Sequence, residues 1–266
     1  MDPVKQALLE DGAFHDVTSA IIPNDRVTGR FLAKQDLVVC GMAEARRAFQ
    51  FVGVAFVPRV RDGDRVREGK ILATVTGPAR RVLAGERTAL NFVQQLSGVS
   101  TITRKFVDLA RPARVFDTRK TTPGLRALEK HAVVCGGGHN HRMGLHDGIM
   151  IKDNHIAAIG DPDVLREKVL ALASRGKLIV LEAASHKQAL LFATFPIQVL
   201  MLDNFSVAGL RHTVKAVRNL NPRIQIEASG GVNLKTVRAI ARTGVDRVSV
   251  GALTHSAPAV DISLEL

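Results

Sequence analysis

The sequence of 266 residues predicts an α/β protein that ends in an incomplete six-stranded parallel α/β barrel, and two observations predict it. From about residue 100 onward, short apolar runs alternate with helical patterns, which is typical of successive βα units. Nearly every apolar run also ends in a charged or small polar residue. The carboxyl ends of the strands carry the active site of a βα barrel, so this pattern predicts an enzyme.

Six apolar runs define the strands of this barrel, and six instead of eight indicate that the barrel is open. They are ARVFDTR (113–119), GIMIKD (148–153), KLIVLEA (177–183), IQVLMLDN (197–204), IQIEASG (224–230) and RVSVGA (247–252). Amphipathic helices are predicted between them at 161–176, 206–220 and 233–244. The last of these helices ends at Gly244, a residue suited to a helix C-cap.

The first part of the chain has a different pattern, which predicts a separate α+β domain over residues 1–98 and the barrel domain over 99–266. We expect the C-terminal tail to pack back on the first domain. The predicted elements of the first part are strands at 27–41, a helix at 44–52, hairpins with an Asp-Gly turn at 58–83 and a long helix at 85–110 that Gly98–Ser100 interrupts.

The formal net charge of +12 and the pI of about 10.4 indicate that the partners of this protein are anionic. A basic nucleic-acid-binding protein would explain this charge. However, the chain has no Trp and no Tyr on which bases could stack, and its Lys and Arg are spread along the whole length. Such a protein would also leave the acidic residues at the strand ends unexplained. Small phosphorylated substrates are therefore the better interpretation.

The chain has no apolar run of about 18 residues or more, and acids occupy its start where a secretory signal would be basic. We therefore expect a cytoplasmic protein without a membrane partner. Cys40 and Cys135 lie 95 positions apart and form no CxxC pair, so neither a disulfide framework nor a cysteine-rich zinc site is predicted. A zinc cluster of Cys135, His139 and His141 is the less favoured interpretation of the glycine-rich loop.

The densest set of charged residues lies between Asp117 and Ile156. A barrel would not place so many cations beside two strand ends without anions to neutralise them, so an anion-binding mouth is predicted. The cations of this segment are Arg119, Lys120, Arg126, His141, Arg142 and Lys152.

Five segments, DTRKTTPGLR, CGGGHNHRMGLHDGIMIKDNH, GERTALNFVQQLSG, EASGGV and SVGALTHS, resemble the quinolinate phosphoribosyltransferase family over almost the whole chain. The resemblance implies an N-terminal α/β sandwich before the open barrel, and a homodimer whose active sites take residues from both subunits. It also implies that quinolinate and phosphoribosyl pyrophosphate (PRPP) give nicotinate mononucleotide, pyrophosphate and carbon dioxide, with Mg²⁺, in de novo NAD biosynthesis.

The resemblance also assigns the substrate contacts. For the quinolinate carboxylates it implies Arg119, His141, Arg142 and Lys152, together with Arg87 from the partner subunit. For PRPP it implies Lys120 at the pyrophosphate, Glu182 and Asp203 at the ribose and Mg²⁺, and Ser229, Gly230, Gly231 and Gly251 at the 5-phosphate, with His255 nearby. The catalytic set is then Glu182, Asp203, Lys120 and Lys152.

Two departures from the family pattern are expected to matter. LEAASHK lacks a further acid that relatives carry, which weakens the metal assignment, and the chain lacks an additional N-terminal helix, which trims the dimer surface or the lid. Two alternatives stay within the fold: a molybdenum-transport-associated paralogue and a nicotinate phosphoribosyltransferase, which needs one carboxylate clamp instead of two. Glu227 is interpreted as a structural partner of a lysine. Two small groups have two interpretations each: Asp153, Asn154 and His155 either support Lys152 or contact the ligand directly, and Arg61, Arg65 and Arg67 form a solvated face or, less favoured, steer the substrate.

Overall fold

The structure, a computed structural model, describes residues 2–266 and divides into two compact units. Unit 1 contains the chain up to Arg104, Thr121–Gly137 and Leu253–Leu266, and unit 2 contains Lys105–Lys120 and Gly138–Ala252. Each unit is made of more than one stretch of the chain, so no single position in the sequence separates them. The domain boundary at residue 98 stays a prediction. In the described part of the chain, no helix combines the length and the apolar character needed to cross a membrane.

The elements are numbered in chain order. Up to residue 135 they are helix α1 (Pro3–Glu10), 3-10 helices at Ala13–His15 and Thr18–Ile21, strands β1 (Arg26–Ala33) and β2 (Leu37–Val38), helix α2 (Met42–Phe51), strands β3 (Ala55–Pro58), β4 (Arg65–Val66) and β5 (Ile71–Pro78), helix α3 (Ala79–Ala110), strand β6 (Arg114–Phe116) and helix α4 (Arg126–Cys135). From there they are β7 (Ile149–Ile151), α5 (Asp153–Ile159), α6 (Pro162–Ala173), β8 (Ile179–Ala183), α7 (His186–Phe192), β9 (Val199–Asp203), α8 (Val207–Leu220), β10 (Gln225–Ser229), α9 (Val237–Ala241), β11 (Arg247–Ser249), α10 (Ala252–His255) and β12 (Ile262–Glu265).

Unit 1 is built on a four-stranded antiparallel sheet in the order β12-β1-β5-β3. Its core includes Phe31, Phe49 and Phe56, whose ring centroids lie 5.7–5.9 Å apart. The predicted hairpins at 58–83 are only partly right, because β4 pairs with β2 and β3 pairs with β5. The C-terminal strand β12 joins this sheet by pairing with β1.

Helix α3 runs without a break from Ala79 to Ala110, so the predicted interruption at Gly98–Ser100 is wrong. A Cβ on Gly98 would lie 2.2 Å from the carbonyl oxygen of Pro258, and glycine is therefore used there for close packing within unit 1. Ser100 is buried, and its hydroxyl is satisfied by the carbonyls of Leu96 and Ala132. The small and polar residues that suggested a break in the helix therefore form a surface of α3 against which other segments pack.

Unit 2 is a parallel six-stranded sheet in the order β6-β11-β10-β9-β8-β7. Helices of this unit lie between β7 and β8, β8 and β9, β9 and β10, and β10 and β11. All six predicted strands are present, and the sheet is open between β6 and β7. Helices α6 and α8 follow the prediction, but α9 covers only Val237–Ala241 of the predicted 233–244. The Asn233 carboxamide oxygen accepts from the backbone N–H groups of Lys235 and Thr236, which holds a turn where the helix was expected to begin.

Candidate active site

Four residues lie level with one another on neighbouring strands of unit 2. Glu182 is in register with Met201, Met201 with Glu227, and Glu227 with Arg247. Side chains that are level on parallel strands point to the same face of the sheet. Met201 packs there against Val180 and Val199, so this face carries an apolar cluster with charged residues beside it.

Glu227 is fully buried and is the centre of the charged group on this face. Its Oε1 accepts a hydrogen bond from Ser249 and lies 3.6 Å from His141 Nε2, and its Oε2 lies 3.7 Å from Arg247 Nη1. The expected lysine partner of Glu227 is therefore wrong, because arginine and histidine take that place. The Arg247 guanidinium also lies 4.5 Å from the ring centroid of Phe116, and burial lowers its pKa.

His141 is positioned from both sides by its backbone neighbours. The segment before it pairs with β6 through His139 and Phe116, and the His141 N–H donates to Asp117 Oδ1 at 2.8 Å. The Arg142 N–H donates to His141 Nδ1 at 2.9 Å, so the proton of a neutral imidazole is on Nε2, which faces Glu227. These backbone contacts therefore fix the orientation of the His141 imidazole beside Glu227.

Arg142 is half-buried, and its Nη1 donates to the carbonyl of Gly148 at 3.1 Å. Within residues 2–266, no group pairs with its buried Nε. Burial lowers the pKa of Arg142, and the charge of Arg119 lowers it further. Two guanidinium charges that influence each other at a partly buried site favour the binding of an anion.

His141 and Arg142 line a cavity of about 280 Å³ in the gap between β6 and β7, close to the lower size limit of small-molecule sites. Its lining includes Phe116, the last residue of β6, and Ile149, Val180 and Arg247, which lie at or near the beginnings of β7, β8 and β11. The lining therefore contains two of the residues predicted to bind quinolinate, His141 and Arg142, and none of those predicted to bind PRPP.

At the carboxyl ends of β7 and β8, the Lys152 ammonium lies 3.3 Å from Glu182 Oε2. The backbone N–H of Lys152 donates to His155 Nδ1 at 3.1 Å, so His155 supports the lysine as expected. Glu182 also lines a second cavity of about 240 Å³ together with Asp153 and Gln188. The structure thus brings together Lys152, which was predicted to bind quinolinate, and Glu182, which was predicted to bind PRPP.

Asp203 ends β9 level with Ser229, which ends β10. Its Oδ2 accepts from the side-chain amide of Asn204 at 2.6 Å, and the Asn204 backbone N–H donates to Ser229 O. A Cβ on Gly230, whose φ is +86°, would lie 2.1 Å from Asn204 Oδ1. Asn204 therefore links the predicted acid to the predicted phosphate loop and requires glycine there. Sequence reasoning assigned it no role.

Models of two known domains cover nearly the whole chain. Quinolinate phosphoribosyl transferase, N-terminal domain, matches residues 16–97, and quinolinate phosphoribosyl transferase, C-terminal domain, matches residues 99–265. The chain belongs to the quinolinate phosphoribosyltransferase family. This confirms the resemblance that the motifs indicated.

Relatives of this quinolinate phosphoribosyltransferase family member agree in sequence and in fold. The chain is 42% identical over 285 residues to the chloroplastic nicotinate-nucleotide pyrophosphorylase (carboxylating) of Arabidopsis thaliana, covering 99% of this chain and 81% of the relative. It is 40% identical to the mitochondrial quinolinate phosphoribosyltransferase (decarboxylating) 2b of Nicotiana tabacum, with the same coverage. The solved nicotinate-nucleotide pyrophosphorylase of Francisella tularensis superposes with a TM-score of 0.91 at 34% identity, covering 98% and 94% of the two chains. The predicted fold class is confirmed.

The other assigned residues of this family member are distributed over both units. Arg87 lies on α3 and His255 ends α10, both in unit 1, and His255 Nδ1 lies 2.6 Å from Ser256 Oγ. In unit 2, the Lys120 backbone N–H donates to Thr118 Oγ1 at 3.0 Å, Gly231 has a φ of +62°, and Gly251 follows β11. The roles of all the assigned residues stay predictions.

Proposed function

We infer that this chain is a decarboxylating quinolinate phosphoribosyltransferase, a pentosyltransferase that joins quinolinate to PRPP in NAD biosynthesis. The observation that carries the proposal is the similarity over 99% of the chain to relatives named for this activity. A molybdenum-transport-associated paralogue, a nicotinate phosphoribosyltransferase and a nucleic-acid-binding protein are not favoured by these relatives. The products are nicotinate mononucleotide, pyrophosphate and carbon dioxide.

The cationic residues support a substrate with two carboxylates. Arg119 and Arg142 are close enough for their charges to interact, and Arg142 Nε has no hydrogen-bond partner within the described residues. Guanidinium groups bind carboxylates through paired hydrogen bonds. We assign them to one carboxylate of quinolinate and Lys152 to the other, with His141 beside them. Nicotinate, which has one carboxylate, would leave part of this set without a partner.

The acids at the carboxyl ends of β8 and β9 support the phosphoribosyl half of the site. When pyrophosphate leaves, the ribose ring develops positive charge, which the Glu182 and Asp203 carboxylates stabilise. Lys120 binds the departing pyrophosphate, and Ser229, Gly230, Gly231 and Gly251 offer backbone N–H groups to the 5-phosphate, with His255 beside them. Carboxylate oxygens are the ligands that Mg²⁺ prefers, so the side chains of Glu182 and Asp203 fit this ion. When bound, Mg²⁺ offsets the charge of the pyrophosphate.

Decarboxylation then requires little from the protein. Once the pyridine nitrogen carries the ribose it is positively charged, and it accepts the electron pair of the C2–carboxylate bond as carbon dioxide leaves. A proton takes the place of the carboxylate at C2. The contribution of the chain is to hold the ring, and the cations that bind the two carboxylates do so.

This activity is tested by incubating the purified protein with Mg²⁺, PRPP and either quinolinate or nicotinate. We expect quinolinate to give nicotinate mononucleotide and an equal amount of carbon dioxide. Nicotinate is expected to give no product. Turnover of nicotinate without turnover of quinolinate would contradict the substrate assignment.

We also propose a homodimer in which Arg87 completes the active site of the partner subunit. Arg87→Ala and Lys152→Ala are each expected to be inactive. Mixed dimers of the two variants contain one intact site, so a mixture refolded together should regain about a quarter of the wild-type activity. Lys152→Ala mixed with Asp203→Asn is the control, because both changes affect a subunit's own site. Equal failure of both mixtures would place Arg87 in its own subunit's site or outside any site.

A further inference from the structure

Four side chains that the proposed function does not use converge in unit 1. Cys40, Asp62, His131 and Cys135 each direct one donor atom to a common point, and these four atoms all lie within 4.8 Å of one another. Cys40 follows β2, Asp62 lies in the turn between β3 and β4, and His131 and Cys135 are on α4. Residues four apart share one face of a helix, so α4 supplies two donors together.

Two of the separations between these atoms match the edges of a tetrahedral metal site, and a third is slightly longer. His131 Nε2 lies 3.4 Å from Asp62 Oδ2 and 3.5 Å from Cys135 Sγ, and Cys40 Sγ lies 4.0 Å from Asp62 Oδ2. A Zn²⁺ ion with bonds of about 2.0–2.3 Å to nitrogen, oxygen and sulfur places its ligands roughly 3.3–3.8 Å apart. Small movements of these side chains would bring the four donor atoms to tetrahedral geometry.

We propose that Cys40, Asp62, His131 and Cys135 form a structural binding site for a zinc-type divalent cation. Two thiolates, an imidazole and a carboxylate complete the tetrahedron and leave no open position, as in structural zinc sites. Thiolate ligands favour zinc over magnesium or calcium. Binding releases the two thiol protons and ties α4 to the β3–β4 turn and to the end of β2. The proposal does not depend on the enzymatic activity.

The surroundings hold the donors in place and leave a route for the ion. The Cys40 N–H donates to Ser97 Oγ at 2.9 Å, and the Ser97 hydroxyl donates to the Cys40 carbonyl at 3.0 Å. Asp62 Oδ1 accepts from the Met42 N–H at 3.2 Å, which directs Oδ2 toward the cluster. Cys40 is fully buried, whereas 56% of the His131 side chain is exposed. The ion can therefore enter past His131.

The test uses the full-length protein, purified with a reductant, stripped with a chelator and titrated with Zn²⁺ or Co²⁺. We expect about one metal ion per chain by elemental analysis, thiolate-to-cobalt charge-transfer absorption, and a melting temperature that rises with free zinc. Cys135→Ser and His131→Gln should each lose the tight stoichiometric binding. His131→Gln changes a half-exposed side chain and is expected to fold. His15→Gln, which changes an exposed histidine of unit 1 outside the cluster, is the control and should bind like the wild type.

Three results would overturn the proposal. The first is no cobalt charge-transfer band and no metal in the reduced protein, which would leave the cluster as an ion pair with adjacent thiols. The second is an intact mass lighter by two hydrogen atoms after purification with reductant, which would indicate a disulfide between Cys40 and Cys135. The third is metal binding by His131→Gln that equals that of His15→Gln.

Discussion

Arg142→Ala is expected to weaken quinolinate binding by about two to three orders of magnitude and to change PRPP binding by less than a few-fold. Removing one partner of a buried, hydrogen-bonded charge pair costs about 2–5 kcal/mol, and each 1.4 kcal/mol is a factor of about ten in affinity. In the proposed complex this charge pair is the one between Arg142 and a quinolinate carboxylate. Arg142 is half-buried and its Nε has no partner within residues 2–266, so the guanidinium can form that pair. Titration of the purified variant with each substrate measures both constants.

Arg142→Lys should recover only part of this loss, since an ammonium cannot form the paired hydrogen bonds of a guanidinium. Arg211→Ala, which removes an exposed arginine from α8, is the matched control and should bind both substrates like the wild type. An equal loss of quinolinate and PRPP affinity in Arg142→Ala would instead give Arg142 a structural role through its bond to Gly148.

Asp203→Asn is expected to lower kcat by about 10²–10³ while quinolinate affinity stays near its wild-type value. The change keeps the shape of the side chain and removes the charge that we assign to the developing cation on the ribose. Asn204 bonds to Asp203 Oδ2 and also packs under Gly230, so the loop itself should remain folded. Steady-state kinetics with PRPP and quinolinate varied in turn, at several Mg²⁺ concentrations, separates kcat from the two KM values.

The control for Asp203→Asn is Asp163→Asn, which removes an exposed carboxylate from the first turn of α6 and should leave kcat unchanged. A wild-type kcat in Asp203→Asn would exclude its carboxylate from transition-state stabilisation. A raised quinolinate KM with an unchanged kcat would move Asp203 to the quinolinate half of the site.

The parallel sheet could be predicted because its signal is local. Each strand of unit 2 is a short apolar run with a polar residue at its end, and these two features depend on neighbours in sequence. The prediction of a break in α3 was wrong because Gly98 is needed for close packing against Pro258, which lies far along the chain. The predicted hairpins were only partly right for a similar reason, since the pairing of β4 with β2 is decided by tertiary packing.

The site was predictable where a residue ends a strand, and less so where it lies inside the sheet. Lys152, Glu182 and Asp203 could be predicted because each is a charged residue that follows an apolar run. Arg247 begins a strand, and its pairing with Glu227 follows from strand order, which spacing alone does not reveal. The cluster of Cys40 with Cys135 was missed because 95 positions separate two residues that the fold brings together.

The central claim is that one site has two separable halves, cations for a dicarboxylate and acids with glycines for PRPP. The most direct test titrates quinolinate and PRPP separately into Arg142→Ala and Asp203→Asn by calorimetry. We expect Arg142→Ala to lose quinolinate affinity and keep PRPP affinity, and Asp203→Asn with Mg²⁺ to keep quinolinate affinity and lose PRPP affinity. Parallel losses of both substrates in both variants would contradict the claim.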